Sequence, residues 1–153
     1  MTDLNELYQE MILEHNKSPR NFRAITDATK KAEGYNPLCG DRLMIYLKLE
    51  NSRIADISFQ GSGCAISKAS ASMMTTMVKG KTKAEAEALF EDFRKMLGRG
   101  AGSDYDTKSL GKLAVFSGVC EFPARVKCAT LAWHTLYSGL GNEAKIISTE
   151  EGR

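Results

Sequence analysis

Arg42-Leu43-Met44-Ile45-Tyr46-Leu47-Lys48-Leu49-Glu50-Asn51-Ser52-Arg53-Ile54-Ala55-Asp56-Ile57-Ser58-Phe59-Gln60 carries two alternating runs joined by two polar residues. In the first run Leu43, Ile45, Leu47 and Leu49 share a face, with Met44, Tyr46, Lys48 and Glu50 on the other. In the second, Ala55, Ile57 and Phe59 stand opposite Asp56, Ser58 and Gln60. A period of two marks half-buried strands, and Asn51-Ser52 between them signals a tight hairpin turn. A register placing Leu43 on Gln60 and Ile45 on Ser58 would mix the faces. One placing Ile45 on Phe59, Leu47 on Ile57 and Leu49 on Ala55 keeps them together, as does a slip of two residues. Either acceptable register carries Cys39 to within one residue of standing opposite Cys64. Adjacent strands lie about 4.8 Å apart, so two thiols placed there could share a metal ion, provided the ladder survives a bend at Gly61 and Gly63.

Beyond Cys64 the period lengthens. Ile66, Ala69, Met73, Met74, Met77 and Val78 are spaced for one buried helical face, with Gly80 as the stop. Thr82 and Glu85 form a capping box for a second helix with the apolar face Ala86, Leu89, Phe90, Phe93 and Leu97. Gly98, Gly100 and Gly102 mark a break, and a short helix is expected over about residues 107–117. A last helix is expected from Pro123, with the stripe Val126, Ala129, Trp133, Leu136 and Leu140, ended by Gly139 and Gly141. Upstream of the hairpin, Leu4, Leu7, Tyr8, Met11 and His15 recur at helical spacing, with Asp3 and Glu6 as a capping pair and a stop before Ser18-Pro19. Residues 17–38 are polar and basic, with Pro19, Gly34 and Pro37, and read as a long extended connection. So long a connection needs a function or a structure of its own. The order of helix, hairpin and helices points to an α+β fold with one small antiparallel sheet.

Composition narrows the function classes. The chain has 153 residues, 42% hydrophobic and 26% charged, an ordinary globular balance that excludes disordered and fibrous classes. That length suits one domain, expected to span residues 1–153. Twenty-one basic against nineteen acidic residues leaves a net charge of +2, without the basic excess of a nucleic-acid binder. The longest apolar run, Leu43 to Leu47, is far short of the roughly 18 residues a membrane span needs. The first residues carry Asp3, Glu6, Glu10 and Glu14 and lack the apolar stretch of a signal peptide. A cytoplasmic protein without nucleic-acid or membrane partners is expected.

In a reducing compartment, thiols that are not core filler bind metal or do chemistry. Cys39, Cys64, Cys120 and Cys128 form no local pair, so the fold decides whether they meet. Asn36-Pro37-Leu38-Cys39-Gly40-Asp41 places a thiol on a turn-prone stretch two residues before a carboxylate, and Gly40 leaves the sulfur approachable. Gly61-Ser62-Gly63-Cys64 places another where a strand ends and a helix begins, a position that favours thiolate. Cys128, in the first turns of the last helix, shares that advantage more weakly. Three thiolates and a carboxylate make a sound tetrahedral zinc set. Against this, a single cysteine is more often a small buried hydrophobe, and Asp41 taken alone is more often a turn residue. Cys120 reads as a spare thiol near a helix boundary. His134 lies six residues beyond Cys128, about 240° around the helix, so neither it nor His15 is taken as a ligand. The methionines read as core filler. Lys127 is either a cation favouring thiolate at Cys128 or a solvated lysine.

Tyr35-Asn36-Pro37-Leu38-Cys39-Gly40-Asp41, then Gly63-Cys64-Ala65-Ile66-Ser67-Lys68-Ala69-Ser70, then Phe122-Pro123-Ala124-Arg125-Val126-Lys127-Cys128-Ala129, resemble the iron–sulfur cluster assembly family of IscU and the N-terminal domain of NifU. The resemblance runs over about residues 5 to 140. It implies an α+β fold with about three antiparallel strands packed against about five helices, and a metal site at Cys39, Asp41, Cys64 and Cys128. Cluster-scaffold IscU proteins carry histidine where this chain has Lys127. They also carry a Leu-Pro-Pro-Val-Lys stretch of which Pro123 and the basic Arg125 remain here. Residues from about 82 to 112 look like an insertion relative to IscU. These departures resemble SufU. SufU-type proteins hold zinc, accept persulfide sulfur from a SufS-type cysteine desulfurase and pass it to the Suf cluster-building machinery. The resemblance further implies that the desulfurase lends the zinc a histidine, which frees Cys39 to attack the persulfide. The alternative it allows is a scaffold holding iron or a 2Fe–2S cluster at the same residues. A zinc module that only binds partners is a third reading.

Overall fold

The computed structural model describes residues 2–37, 40–98, 110–121, 123–141 and 147–148. Its elements are α1 (Thr2–Lys17), β1 (Lys30–Asn36), β2 (Asp41–Glu50), β3 (Arg53–Ser62), α2 (Ala65–Val78), α3 (Lys83–Gly98), a 3-10 segment (Gly111–Glu121), α4 (Pro123–Leu140) and β4 (Ile147–Ser148). The sheet order is β3-β2-β1-β4, antiparallel over the first three strands, with the two-residue β4 running parallel to β1.

The hairpin forms in the register that keeps faces together. Ile45 pairs with Phe59 and Leu47 with Ile57, and Leu43, Ile45, Leu47, Ile57 and Phe59 are all fully buried. Each side chain of this size contributes about 1.5–3 kcal/mol by leaving water. The register then slips between Lys48 and Leu49, so Leu49 pairs with Ile54 and not with Ala55 as the alternation suggested. This bulge turns Ile54 into the core in place of Ala55. Asn51 and Ser52 close the turn with φ of 54° and 63°, the two left-handed residues of a type I′ hairpin.

Residues 17–38 are not a bare connection. Asn21 and Arg23 exchange backbone hydrogen bonds with Phe59 (3.0 Å each), covering the edge of β3, and residues 30–36 form β1 against β2. That strand has no apolar alternation because its inner face is Ala32, Gly34 and Asn36, all buried beneath α4. A Cβ built on Gly34 would lie 2.0 Å from Thr135 Oγ1. One built on Gly139 would lie 3.0 Å from Leu47 Cδ1 and 3.3 Å from Ala32 Cβ. Helix and strand touch through small residues, so neither advertises the contact.

The helices lie on the inner face of the sheet. α4 crosses β1 and β2, α2 packs on β3 and α4, and α1 packs on α2. Thr82 and Glu85 form the expected capping box, with reciprocal N–H bonds of 2.9 and 3.1 Å, and all five expected apolar residues of α3 are buried. Trp133 is fully buried between Phe90 and Phe93, at centroid distances of 5.9 and 5.1 Å. Its indole N–H donates to Ser70 Oγ (3.2 Å), which donates to the Ala129 carbonyl (2.6 Å). The short helix expected at 107–117 corresponds to helical turns from Leu110 and the 3-10 segment, while residues 107–109 lie outside the described residues. Leu110, Leu113 and Phe116, spaced by three and fully buried, fit the three-residue period of that helix type. α1 begins at Thr2, so Asp3 lies inside the helix and not at its cap. Among the described residues, no helix is long and apolar enough to cross a membrane.

Close packing of α4 on β1 makes Gly34→Ala destabilising by about 1–3 kcal/mol. Thr135→Ala, which removes the clashing hydroxyl, should recover part of that loss in a double-mutant cycle read by urea unfolding. A second expectation concerns α1. His15, buried, is hydrogen-bonded through Nδ1 to Ser72 Oγ (2.7 Å), and Ser72 Oγ accepts the Arg20 N–H (2.8 Å). Burial, then Arg20 and Lys112, hold the His15 pKa below its ordinary 6.5, against an opposing pull from Glu14. The unfolded chain therefore takes up the proton first. Stability is whole above about pH 6.5 and falls as pH drops through the folded-state value. His15→Asn, which keeps an acceptor near Nδ1 and cannot titrate, should flatten the slope of unfolding free energy between about pH 7 and 5.

Candidate metal centre

Asp41 opens β2 and is fully buried, which for a carboxylate demands partners. Its Oδ1 accepts the Cys64 N–H at 2.7 Å, and its Oδ2 accepts the Asn36 side-chain amide at 3.2 Å. The β1–β2 pairing closes at Asn36 opposite Asp41, with the Gly40 N–H donating to the Asn36 carbonyl (2.8 Å) and Gly40 at φ 77°. The β2–β3 ladder runs as far as Arg42 opposite Ser62, past Gly61 and just short of Gly63. Gly63 then lies against the carboxylate. A Cβ there would sit 2.5 Å from Asp41 Oδ1, so only glycine leaves Asp41 its seat.

Cys64 caps α2. Its backbone is extended (φ −73°, ψ 169°) and its sulfur accepts the Ser67 N–H at 3.4 Å, in the role usually taken by serine or aspartate. The first turn of α2 carries no acidic residue, so the sulfur is the negative group the helix terminus favours. Cys128 is buried in the second turn of α4 and accepts the Asn36 amide at 3.5 Å. A hydrogen bond with Cys128 is the largest influence drawing the Cys64 thiol from 9.0 down to about 7. Burial opposes it, the Ser67 N–H adds to it, Asp41 opposes it, and the Ile66 N–H adds a little.

One ligand atom from each of Asp41, Cys64 and Cys128 lies within 4.8 Å of the others, and Cys64 Sγ is 3.9 Å from Asp41 Oδ2. A tetrahedral ion with metal–sulfur bonds near 2.3 Å and metal–oxygen bonds near 2.0 Å would need donors about 3.5–3.8 Å apart. The three residues fit such an ion with small adjustments. Of the sequence-derived set, these three come together from β2, the start of α2 and α4. Cys39, with Leu38, lies outside the described residues, as does the side chain of Cys120. Neither histidine joins the cluster: His15 is bonded to Ser72, and His134 meets the edge of the Phe90 ring (5.1 Å between centroids). Asn36 and Gly63 had no site role in the sequence reading. The one legible hint was a polar residue at the inward position of a motif that also holds a cysteine and an aspartate.

The NifU-like N-terminal domain family matches residues 7–129. The chain is 41% identical over 142 residues to the zinc-dependent sulfurtransferase SufU of Bacillus subtilis, covering 92% of this chain and 94% of that protein. It is 39% identical over 145 residues to the iron–sulfur cluster assembly scaffold protein IscU of Streptococcus pyogenes serotype M1, covering 94% and 89%. A crystal structure from Fervidobacterium islandicum AW-1, named for a SUF-system assembly scaffold role, superposes with a TM-score of 0.81 at 36% identity, covering 86% of this chain and 95% of that one.

Displacing the Asp41 carboxylate should weaken the centre. Gly63→Ala should lower affinity for a thiophilic divalent ion by about 10- to 100-fold in chelator competition. Gly80→Ala is the control, because a methyl group there meets only open space, its cost coming from the positive φ (88°) of the backbone alone. It should cost about 1–2 kcal/mol of stability and leave metal affinity unchanged.

Proposed function

The chain belongs to the NifU-like N-terminal domain family of iron–sulfur cluster assembly proteins, and within it we propose a zinc-containing sulfur acceptor. It would take persulfide sulfur from a SufS-type cysteine desulfurase and pass it to the Suf cluster-building machinery. The observation that carries this reading is the convergence of Asp41, Cys64 and Cys128 on one point. The 41% identity to a protein named for zinc-dependent sulfur transfer supports it. So does Lys127, which stands where scaffold proteins carry histidine.

In this reading Cys39 is the fourth ligand and the residue that receives sulfur. It lies two residues before Asp41, so the covalent chain alone holds the two Cα atoms within about 7.6 Å. Zinc bound at these residues would keep their thiols deprotonated at neutral pH while occupying lone pairs. The ligands divide by anchorage. Cys64 caps a helix, Cys128 is buried within one, and Asp41 is held by two hydrogen bonds. Cys39 falls in sequence between the end of β1 at Asn36 and the start of β2 at Asp41. Its thiolate attacks the outer sulfur of the desulfurase persulfide. The sulfur–sulfur bond of that persulfide breaks as a new one forms on Cys39, and the desulfurase cysteine leaves as thiolate. The optimum attacking thiol is one whose pKa lies near ambient pH.

The test joins metal analysis to sulfur transfer. Protein purified without added metal should contain one zinc per chain. With a SufS-type desulfurase and cysteine it should carry persulfide on Cys39 by mass spectrometry and stimulate desulfurase turnover. Cys39→Ala should abolish both the persulfide and the stimulation. A protein that lacks zinc, reconstitutes a 2Fe–2S chromophore readily and leaves turnover unstimulated would overturn this reading in favour of a cluster scaffold.

A further inference from the structure

β1 and α4 run alongside each other with their small residues in contact. Gly139 meets Ala32 and Leu47, Thr135 and Leu131 meet Gly34, and at the next inward position Asn36 reaches Cys128. Asn36 is fully buried and its amide nitrogen faces two groups at once, Asp41 Oδ2 at 3.2 Å and Cys128 Sγ at 3.5 Å. Both are acceptors, so the nitrogen must face them, since the amide oxygen would be repelled by each. The two hydrogens of one amide can therefore serve the oxygen and the sulfur separately.

From this geometry we infer that Asn36 is a positioning residue of the metal centre, a neutral clamp that holds the Asp41 carboxylate and the Cys128 sulfur at ligating separation. The inference rests on the metal reading above and adds to it a residue outside the ligand set. A metal-bound carboxylate and thiolate repel each other across the ion, and a neutral double donor offsets that repulsion without adding charge. Each carboxylate oxygen has one donor, Oδ1 the Cys64 N–H and Oδ2 the Asn36 amide, so the carboxylate is fixed in orientation with Oδ2 on the side of the Cys64 sulfur (3.9 Å). The N–H···S bond draws electron density from the Cys128 thiolate. Partners of this kind around metal ligands typically contribute 10- to 100-fold in affinity.

The test compares wild type with Asn36→Leu, which keeps the bulk, and Asn36→Ala, which leaves space. Affinity for zinc is measured by chelator competition, the visible spectrum with cobalt in place of zinc, and folding by circular dichroism. In both variants affinity should fall by about 10- to 100-fold. The thiolate-to-cobalt charge-transfer band should move to lower energy, because a sulfur relieved of its hydrogen bond gives up electrons more readily. A merely structural role would leave that band in place. A second measurement needs no variant. In wild type loaded with NMR-active cadmium, a side-chain amide proton of Asn36 should shift and show scalar coupling to the metal through the sulfur. Folded variants with unchanged affinity and an unmoved band would overturn the inference, as would an Asn36 amide indifferent to cadmium. Wild type that develops no thiolate–cobalt band would instead overturn the metal reading, and this inference with it.

Discussion

The buried carboxylate of Asp41 is the constraint around which the functional end of the molecule is organised. A carboxylate at zero exposure is tolerated only where hydrogen bonds replace water. Here those bonds come from either side of β2: the backbone N–H of Cys64 at the cap of α2, just beyond the end of β3, and the side chain of Asn36 at the end of β1. Satisfying Asp41 therefore ties the first hairpin to the start of α2. Asn36 extends the tie to α4 through Cys128. Around this one desolvated acid, donors 23 and 87 residues distant in sequence lie within 4.8 Å of it.

Small residues make this arrangement possible. Gly63 yields the space Asp41 Oδ1 occupies, Gly61 at φ 142° lets β3 pass close to the Arg42 carbonyl, and Gly34 lets α4 lie directly on β1. At each of these positions a methyl group would meet backbone or a buried polar atom closer than real contacts allow. Close approach brings the sulfur of Cys128, carried on a helix, within reach of an amide carried on a strand. The larger apolar residues, clustered around Trp133 and the Leu43–Ile45–Leu47 face, supply the stability that lets the functional end bury polar and ionisable groups.

The thiols differ in mechanical standing. Cys64 and Cys128 are built into helices, and their hydrogen bonds hold them in place. The link carrying Cys39 joins two strands whose pairing is already complete at Asn36 and Asp41. The buried, hydrogen-bonded donors suit permanent ligation.

The sequence by itself determined the elements whose signals are periodic or local. The Leu43–Leu49 and Ala55–Phe59 alternation set the hairpin and narrowed its register to two, Thr82 and Glu85 marked the start of α3, and Pro123 the start of α4. The motifs around Cys39, Cys64 and Cys128 marked the family, because each keeps its residues contiguous. Tertiary structure decided the rest. β1 was invisible because a strand pressed against a helix through Ala32 and Gly34 carries no apolar period. The slip at Lys48/Leu49 exchanged Ala55 for Ile54 in the core, since burying the larger side chain outweighs an unbroken ladder. That Asp41, Cys64 and Cys128 meet, and that Asn36 and Gly63 shape their meeting, follows from contacts between elements distant along the chain. Local pattern records the face a side chain belongs to, whereas only packing determines what that face touches.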